Sequence, residues 1–173
     1  LEKFDKGLRY SKFVKEVDNT DVSILSNETS LIMEKRLYPN LNKNASYTLK
    51  YGNKIFHPYT GYLTALESSS FMYTDPNNVE QISYLDEDGE GKLRVYYIAE
   101  GVKTYLNTSA GAIDYETGVI NINDVKINSL VSDNYLRIKV IPRDKDIDSI
   151  RNSILLIDTN DINITMKASS SRN

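Results

Sequence analysis

Cysteine and tryptophan are both absent from this 173-residue chain, and histidine occurs once, at His57. The first absence excludes disulfides, thiolate metal ligation, thiol catalysis and cysteine redox switching together. A lone histidine excludes a paired-histidine metal site and a two-histidine acid–base arrangement. No apolar run approaches the roughly 18 consecutive residues that a membrane-spanning helix requires. Neither sign of charge is in excess: 21 Lys and Arg against 24 Asp and Glu leave a net charge of -3. That balance argues against a polyanion or a membrane surface as partner, so neither nucleic acid nor membrane binding is expected.

Tyrosine, by contrast, is abundant at 13 residues beside 4 Phe, and Asn, Ser, Thr, Ile and Val crowd the segments between turns. Such residues suit half-buried pleated surfaces better than helices. The expected class is α+β and β-dominated, with antiparallel hairpins and one or two short helices near the N-terminus. A chain of this size buries roughly 70% of its extended surface on folding and needs no covalent staples. Residues 1–173 are expected to form a single structural domain, with a possible subdivision into an N-terminal α/β part over 1–66 and a β-rich part over 67–173. The abrupt Leu1-Glu2-Lys3-Phe4 start reads as a fragment of a longer protein.

The helical candidate spans residues 4–17, because Tyr10, Phe13, Val14 and Val17 recur at spacings of three and four; Gly7 weakens its beginning. Residues 30–38 read as a strand through Leu31, Met33 and Leu37, although Glu34-Lys35-Arg36 fits a helix equally well. Residues 46–51 alternate, and Gly52-Asn53 predicts a turn into 54–56. Strands are expected at 69–74 and 81–85 around the turn residues Asp75-Pro76-Asn77-Asn78, then at 93–99 and 102–106 around Gly101. Residues 107–111 lead into a hairpin over 112–123 that turns at Tyr115-Glu116-Thr117-Gly118. A terminal hairpin pairs 154–157 with 162–166, and 169–173 are expected to fray.

The order of the later pieces carries more than their periodicity. The hairpin at 112–123, then Leu136-Arg137-Ile138-Lys139-Val140-Ile141-Pro142, then the segment 147–158, resembles the C-terminal part of the baseplate wedge subunit of T-even-type contractile-tailed bacteriophages, a baseplate-J-like protein. A second anchor is Tyr10 to Asp18 followed by Asp21-Val22-Ser23-Ile24-Leu25-Ser26-Asn27-Glu28-Thr29 and the run 30–39. What the resemblance implies is a structural virion protein rather than an enzyme, located in the phage tail baseplate and assembled in the host bacterial cytoplasm. It further implies a homodimer, heteromeric contacts with other wedge proteins, and a ring around the tail hub. An alternative from composition alone is a β-rich binding module, an adhesin or carbohydrate-binding domain.

Sharper chemical readings of single motifs do not hold. Asp86-Glu87-Asp88-Gly89-Glu90-Gly91 opens like a calcium loop, but the bidentate glutamate of such a loop would fall at Tyr97, so the segment reads as a hairpin tip. In Asp144-Lys145-Asp146-Ile147-Asp148, the acids are offset by Arg143 and Lys145, and Asp146 or Asp148 is placed to cap a short helical turn. His57 lacks any Gly-x-Ser-x-Gly elbow to make a catalytic triad with. Four glycosylation sequons, at Asn27, Asn44, Asn107 and Asn163, are a chance yield of this composition. No catalytic, cofactor-binding or metal residue is therefore assigned, and no cofactor or small-molecule substrate is expected. The aromatics Tyr59, Tyr62, Phe71, Tyr73, Tyr96 and Tyr97 are candidates for a binding or assembly face; Tyr96 and Tyr97, adjacent in a strand, must point to opposite sides.

Overall fold

The computed structural model describes residues 6–150 and 155–168. One helix, α1 (Tyr10–Asp18), precedes ten strands: β1 (Met33–Leu37), β2 (Asn44–Lys50), β3 (Leu66–Ser68), β4 (Phe71–Thr74), β5 (Glu80–Glu87), β6 (Lys92–Ala99), β7 (Val102–Asp114), β8 (Val119–Lys126), β9 (Ser129–Leu130) and β10 (Leu136–Val140). Among the described residues all pairings are antiparallel, in a seven-stranded sheet of order β2-β8-β7-β6-β5-β4-β9 and a three-stranded sheet of order β1-β10-β3. The chain is thus β-dominated with a short N-terminal helix, as its residue pattern predicts.

The two sheets share one core. Leu37, Leu66, Leu136, Ile138 and Val140 of the small sheet are buried with Leu49, Leu85, Leu93, Val95, Ile113, Ile120 and Ile122 of the large one. Along β10 the burial alternates, because successive side chains in a strand face opposite ways. Phe71 is completely enclosed, and the Tyr51 hydroxyl donates to the Ile138 carbonyl at 2.7 Å inside the core. Burial pushes the Tyr51 pKa far upward, so that hydroxyl stays neutral and available as a donor.

The hairpin over 112–123 forms as its sequence predicts, with Ile113 opposite Ile120 and Asp114 opposite Val119. Asp114 accepts the Glu116 and Thr117 amides at 2.9 and 3.1 Å, which folds the turn. Gly118 closes it at φ +65°, pressed so closely against the Asn53 carbonyl that a side chain has no room. The β4–β5 turn likewise follows its sequence: the Asp75 carboxylate accepts from Asn77 and Val79, and Asn78 adopts φ 65°.

Several expectations are corrected. The helix begins at Tyr10 and not at residue 4, and residues 4 and 5 lie outside the described residues. Leu8 instead exchanges backbone hydrogen bonds with Ile147, and Gly7 lies directly against the Ile147 carbonyl, so this stretch is held as a bridge. Residues 54–56 do not fold back on β2: Ile55 bridges Pro142, and Phe56 donates to Ile141, tying this stretch to the chain just beyond β10. Residues 107–111, which lead into the hairpin, continue the strand begun at Val102: they belong to β7, which carries extra residues relative to β6 at two register shifts, with Asn107 accepting the Ser109 amide at 2.8 Å and Ala110 buried. The terminal hairpin does not form among the described residues, and residue 154 lies outside them. Asp158 caps a short 3₁₀ turn, Thr159–Asp161, and its carboxylate is held 2.8 Å from Arg36, while Asp161 lies 2.8 Å from Lys139. These contacts fasten the turn to the small sheet and keep the two arms from facing one another. The residues expected to fray, 169–173, are outside those described.

Asp146 does act as a cap, but for α1 rather than for a local turn. The Tyr10 amide donates to its Oδ1 at 2.9 Å and Arg9 to its Oδ2 at 3.0 Å, whereas Arg9, the residue at the cap position, offers no side-chain acceptor. The Tyr10 amide, followed by the Arg9 guanidinium, holds the Asp146 carboxyl below the usual range. Because the native pKa is depressed, this contribution is present above the unfolded Asp value of about 3.9 and disappears as pH falls through the lower native value. The Tyr10 amide NMR shift should therefore titrate below about pH 4 in parallel with loss of α1; in Asp146→Asn the pH-linked step disappears. In the core, Leu93→Ala should lower unfolding free energy by about 2–5 kcal/mol, read from the urea midpoint, since it empties a fully enclosed site.

Candidate interaction surface

Strands β5 and β6 turn Leu85, Leu93 and Val95 into the core, so the period of two puts Tyr84, Tyr96 and Arg94 on the opposite face. Register then lines up Tyr84, Tyr96 and Tyr105 across three strands, with Ile82, Ile98 and Lys103 as the neighbouring row. Tyr84 stacks on Tyr96 at 5.5 Å, and Tyr105 lies 6.2 Å further on. Ile82 and Ile98 stand exposed beside them.

Asp86 organises the cations of this face. Although buried, it accepts Arg94 Nε at 3.0 Å and Lys103 Nζ at 2.8 Å, with the Tyr105 hydroxyl at 3.4 Å. Arg94 lies 4.2 Å over the Tyr105 ring and Lys103 4.2 Å over the Tyr96 ring. Burial opposes the Lys103 charge, but the hydrogen bond it donates to Asp86 and the negative charge there prevail, and the Lys103 pKa rises; burial also raises that of Tyr96. The ring faces of Tyr96 are flanked by Tyr84 and Lys103, so the ladder does not present the open aromatic platform on which a sugar ring stacks. It presents ring edges, two isoleucines and two fixed cations, a mixture typical of protein contacts.

The aromatics singled out in the sequence do not form one face. Phe71 lies in the core with Tyr73 packed edge-on at 6.4 Å, while Tyr59 and Tyr62 meet edge-to-face at 5.7 Å, and Tyr62 also packs on Phe56. Tyr96 and Tyr97 do part company: Tyr96 joins the ladder, and Tyr97 lies opposite the buried Ser83. Tyr84 and Tyr105 were missed. The two-residue turn Glu100-Gly101 fixes Ala99 opposite Val102, and counting back from it puts Tyr105 opposite Tyr96.

The acidic tip at 86–91 has local partners for its carboxylates. Asp88 accepts the Glu90 and Lys92 amides, each at 2.9 Å, and Asp86 is engaged by cations. Among the described residues no cluster of three or more metal-ligating side chains occurs. Glu87 is fully buried: one oxygen accepts the Tyr115 hydroxyl at 2.9 Å and the Gly89 amide, and the other has no protein partner. Gly89, at φ +77°, touches Gly61 so closely that a side chain would collide with its backbone.

His57 stacks flat on Tyr115 at 3.9 Å, and its Nε2 lies 3.0 Å from the Gly89 carbonyl, which requires that nitrogen to donate. The adjoining cavity, about 430 Å³ and wide open, is lined by Ile55, Ile113, Glu116 and Arg143 among others. No serine among the described residues lines it. His57 is held by packing and a backbone bond.

Residues 6–36 form the N-terminal segment of the described chain. From this segment α1 leads into a return stretch in which the Tyr10 hydroxyl donates to the Thr29 carbonyl at 3.0 Å and Asn27 to Asp18 and the Val14 carbonyl. The chain then enters β1. The family model described as "Baseplate structural protein gp6, C-terminal domain III" matches residues 1–36. That match supports a structural role in a phage baseplate. The segment 112–158 lies outside the matched residues. No curated protein matches the chain.

Burial, then the hydrogen bond to Glu87, raises the Tyr115 pKa. Tyr115→Phe removes one of the few partners of an enclosed carboxylate, so it should cost about 1–3 kcal/mol in urea unfolding. A loss below about 0.5 kcal/mol would show that the carboxylate does not depend on that hydroxyl.

Proposed function

We propose that this protein is a wedge subunit of a contractile phage tail baseplate, a non-enzymatic component that joins a ring around the tail hub through contacts with its own copies and with other wedge proteins. The observation that carries the reading is the coincidence of the baseplate family match over residues 1–36 with an organised but uncovered face on β5, β6 and β7. A sheet face with ordered cations and exposed isoleucines gains most when another protein covers it. In such an assembly work is done by exchanging one set of interfaces for another when the tail contracts, and no substrate is transformed.

Ile82 and Ile98 oppose each other across β5 and β6, where Ser83 pairs with Tyr97, and neither contributes to the core. Replacing both by Thr keeps strand propensity and removes apolar contact area. In phage carrying Ile82→Thr and Ile98→Thr, negative-stain electron microscopy of isolated tails should show incomplete baseplates, while the purified variant unfolds at nearly the wild-type midpoint. Absence of the wild-type protein from purified virions would overturn the assignment, and micromolar saccharide binding by the isolated chain would favour a binding module instead.

A further inference from the structure

We propose that residues 162–166 are a donor strand that adds to the free edge of β2 in a second copy of this chain, each copy receiving the other's tail. The inference rests on the assembly reading and specifies how self-association takes place. Its starting point is a segment with the alternation of a strand and no sheet: Ile162, Ile164 and Met166 alternate with Asn163 and Thr165, yet are 53%, 77% and 91% exposed. Beyond the turn at Thr159–Asp161 the described residues of the tail enter no hydrogen bond with the other described residues. The turn itself is tethered by the partly exposed pairs Arg36–Asp158 and Lys139–Asp161. Ion pairs of this kind hold weakly and release readily.

The acceptor follows from comparing the sheet edges. β9 and β3 have two and three residues, too few to template a strand. β1 carries Glu34-Lys35-Arg36, the charged pattern that guards an edge. β2 has seven residues, no proline, and no charge before its last residue, Lys50. Its irregularity lies on the partner side, where β8 takes the extra residue and Asp124 adopts φ 50°, leaving the outer edge of β2 unobstructed. Among the described residues no backbone group from outside β8 pairs with that edge.

The two patterns also fit face to face. β2 directs Tyr47 and Leu49 toward the core and leaves Ser46 and Thr48 exposed. A tail laid along it places Ile162, Ile164 and Met166 beside Tyr47 and Leu49, extending the apolar side, with Asn163 and Thr165 beside the hydroxyls. Backbone pairing supplies affinity, and the alternation selects which side of the strand faces in. Reciprocal donation gives a closed two-fold dimer.

The absence of native cysteine makes the test direct. Chains carrying only Thr48→Cys are mixed with chains carrying only Thr165→Cys, oxidised, and separated by non-reducing electrophoresis; the Ser46→Cys and Asn163→Cys pair covers the alternative register. These positions are surface-exposed, so folding is retained. A disulfide-linked heterodimer is expected, and Ile164→Pro in the donor should suppress it and weaken dimerisation about tenfold in sedimentation equilibrium, by removing a ladder hydrogen bond at a site outside the core. No cross-link in either register overturns the proposal. So does a cross-link confined to a single chain bearing both cysteines. A dimer untouched by Ile164→Pro overturns the tail exchange but leaves the wedge assignment standing, whereas absence of the protein from virions removes the assignment itself.

Discussion

Burial of one face of β10 against the large sheet is the constraint on which the rest of the fold depends. β10 is the middle strand of the small sheet, flanked by β1 and β3 from much earlier in the chain. Those two outer strands have no ladder with one another. Without β10 in place, residues 33–37 and 66–68 would have no strand to pair with, and Leu37 and Leu66 would lose Leu136, Ile138 and Val140 from their apolar surroundings. The Tyr51 hydroxyl adds direction to this contact, since its bond to the Ile138 carbonyl fixes where the two sheets meet.

Period-two alternation and turn chemistry were enough to read most of the large sheet from the residues. The hairpins closing at Asp75 to Val79 and at Tyr115 to Gly118 are local events, carried by Asp side chains and a glycine. Other features were not legible because their causes lie far away in the chain. The helix start is decided by Ile147 and Asp146, and the path of residues 54–56 by Pro142 and Ile141. The 107–111 segment has loop composition but is held as bulged strand by neighbours on both sides. At 162–166 the alternation is genuine, and the expected partner within the chain is missing because charged side chains hold the turn elsewhere.

The candidate surface was partly readable for the same reason. Tyr96 and Tyr97 had to diverge, and the tight turn at Glu100-Gly101 fixes Tyr105 opposite Tyr96. Tyr84 enters through the register of a longer hairpin loop, which residue spacing leaves open. Asp86 looked like part of an acidic tip, whereas its strand position turns it into the anchor for Arg94 and Lys103. One residue's displacement along β5 separates it from Glu87, which faces the opposite side and meets Tyr115 instead.

The capping of α1 by Asp146 bears on how the chain comes off the ribosome. Residues 10–18 are made before the ten strands, but the carboxylate that receives the Tyr10 amide and the Ile147 backbone that brackets Leu8 arrive only after those strands have been synthesised. A nine-residue helix has little stability by itself. The helix is consequently among the last elements to order, and residues 10–18 remain exposed to chaperones and proteases until Asp146 and Ile147 have been made.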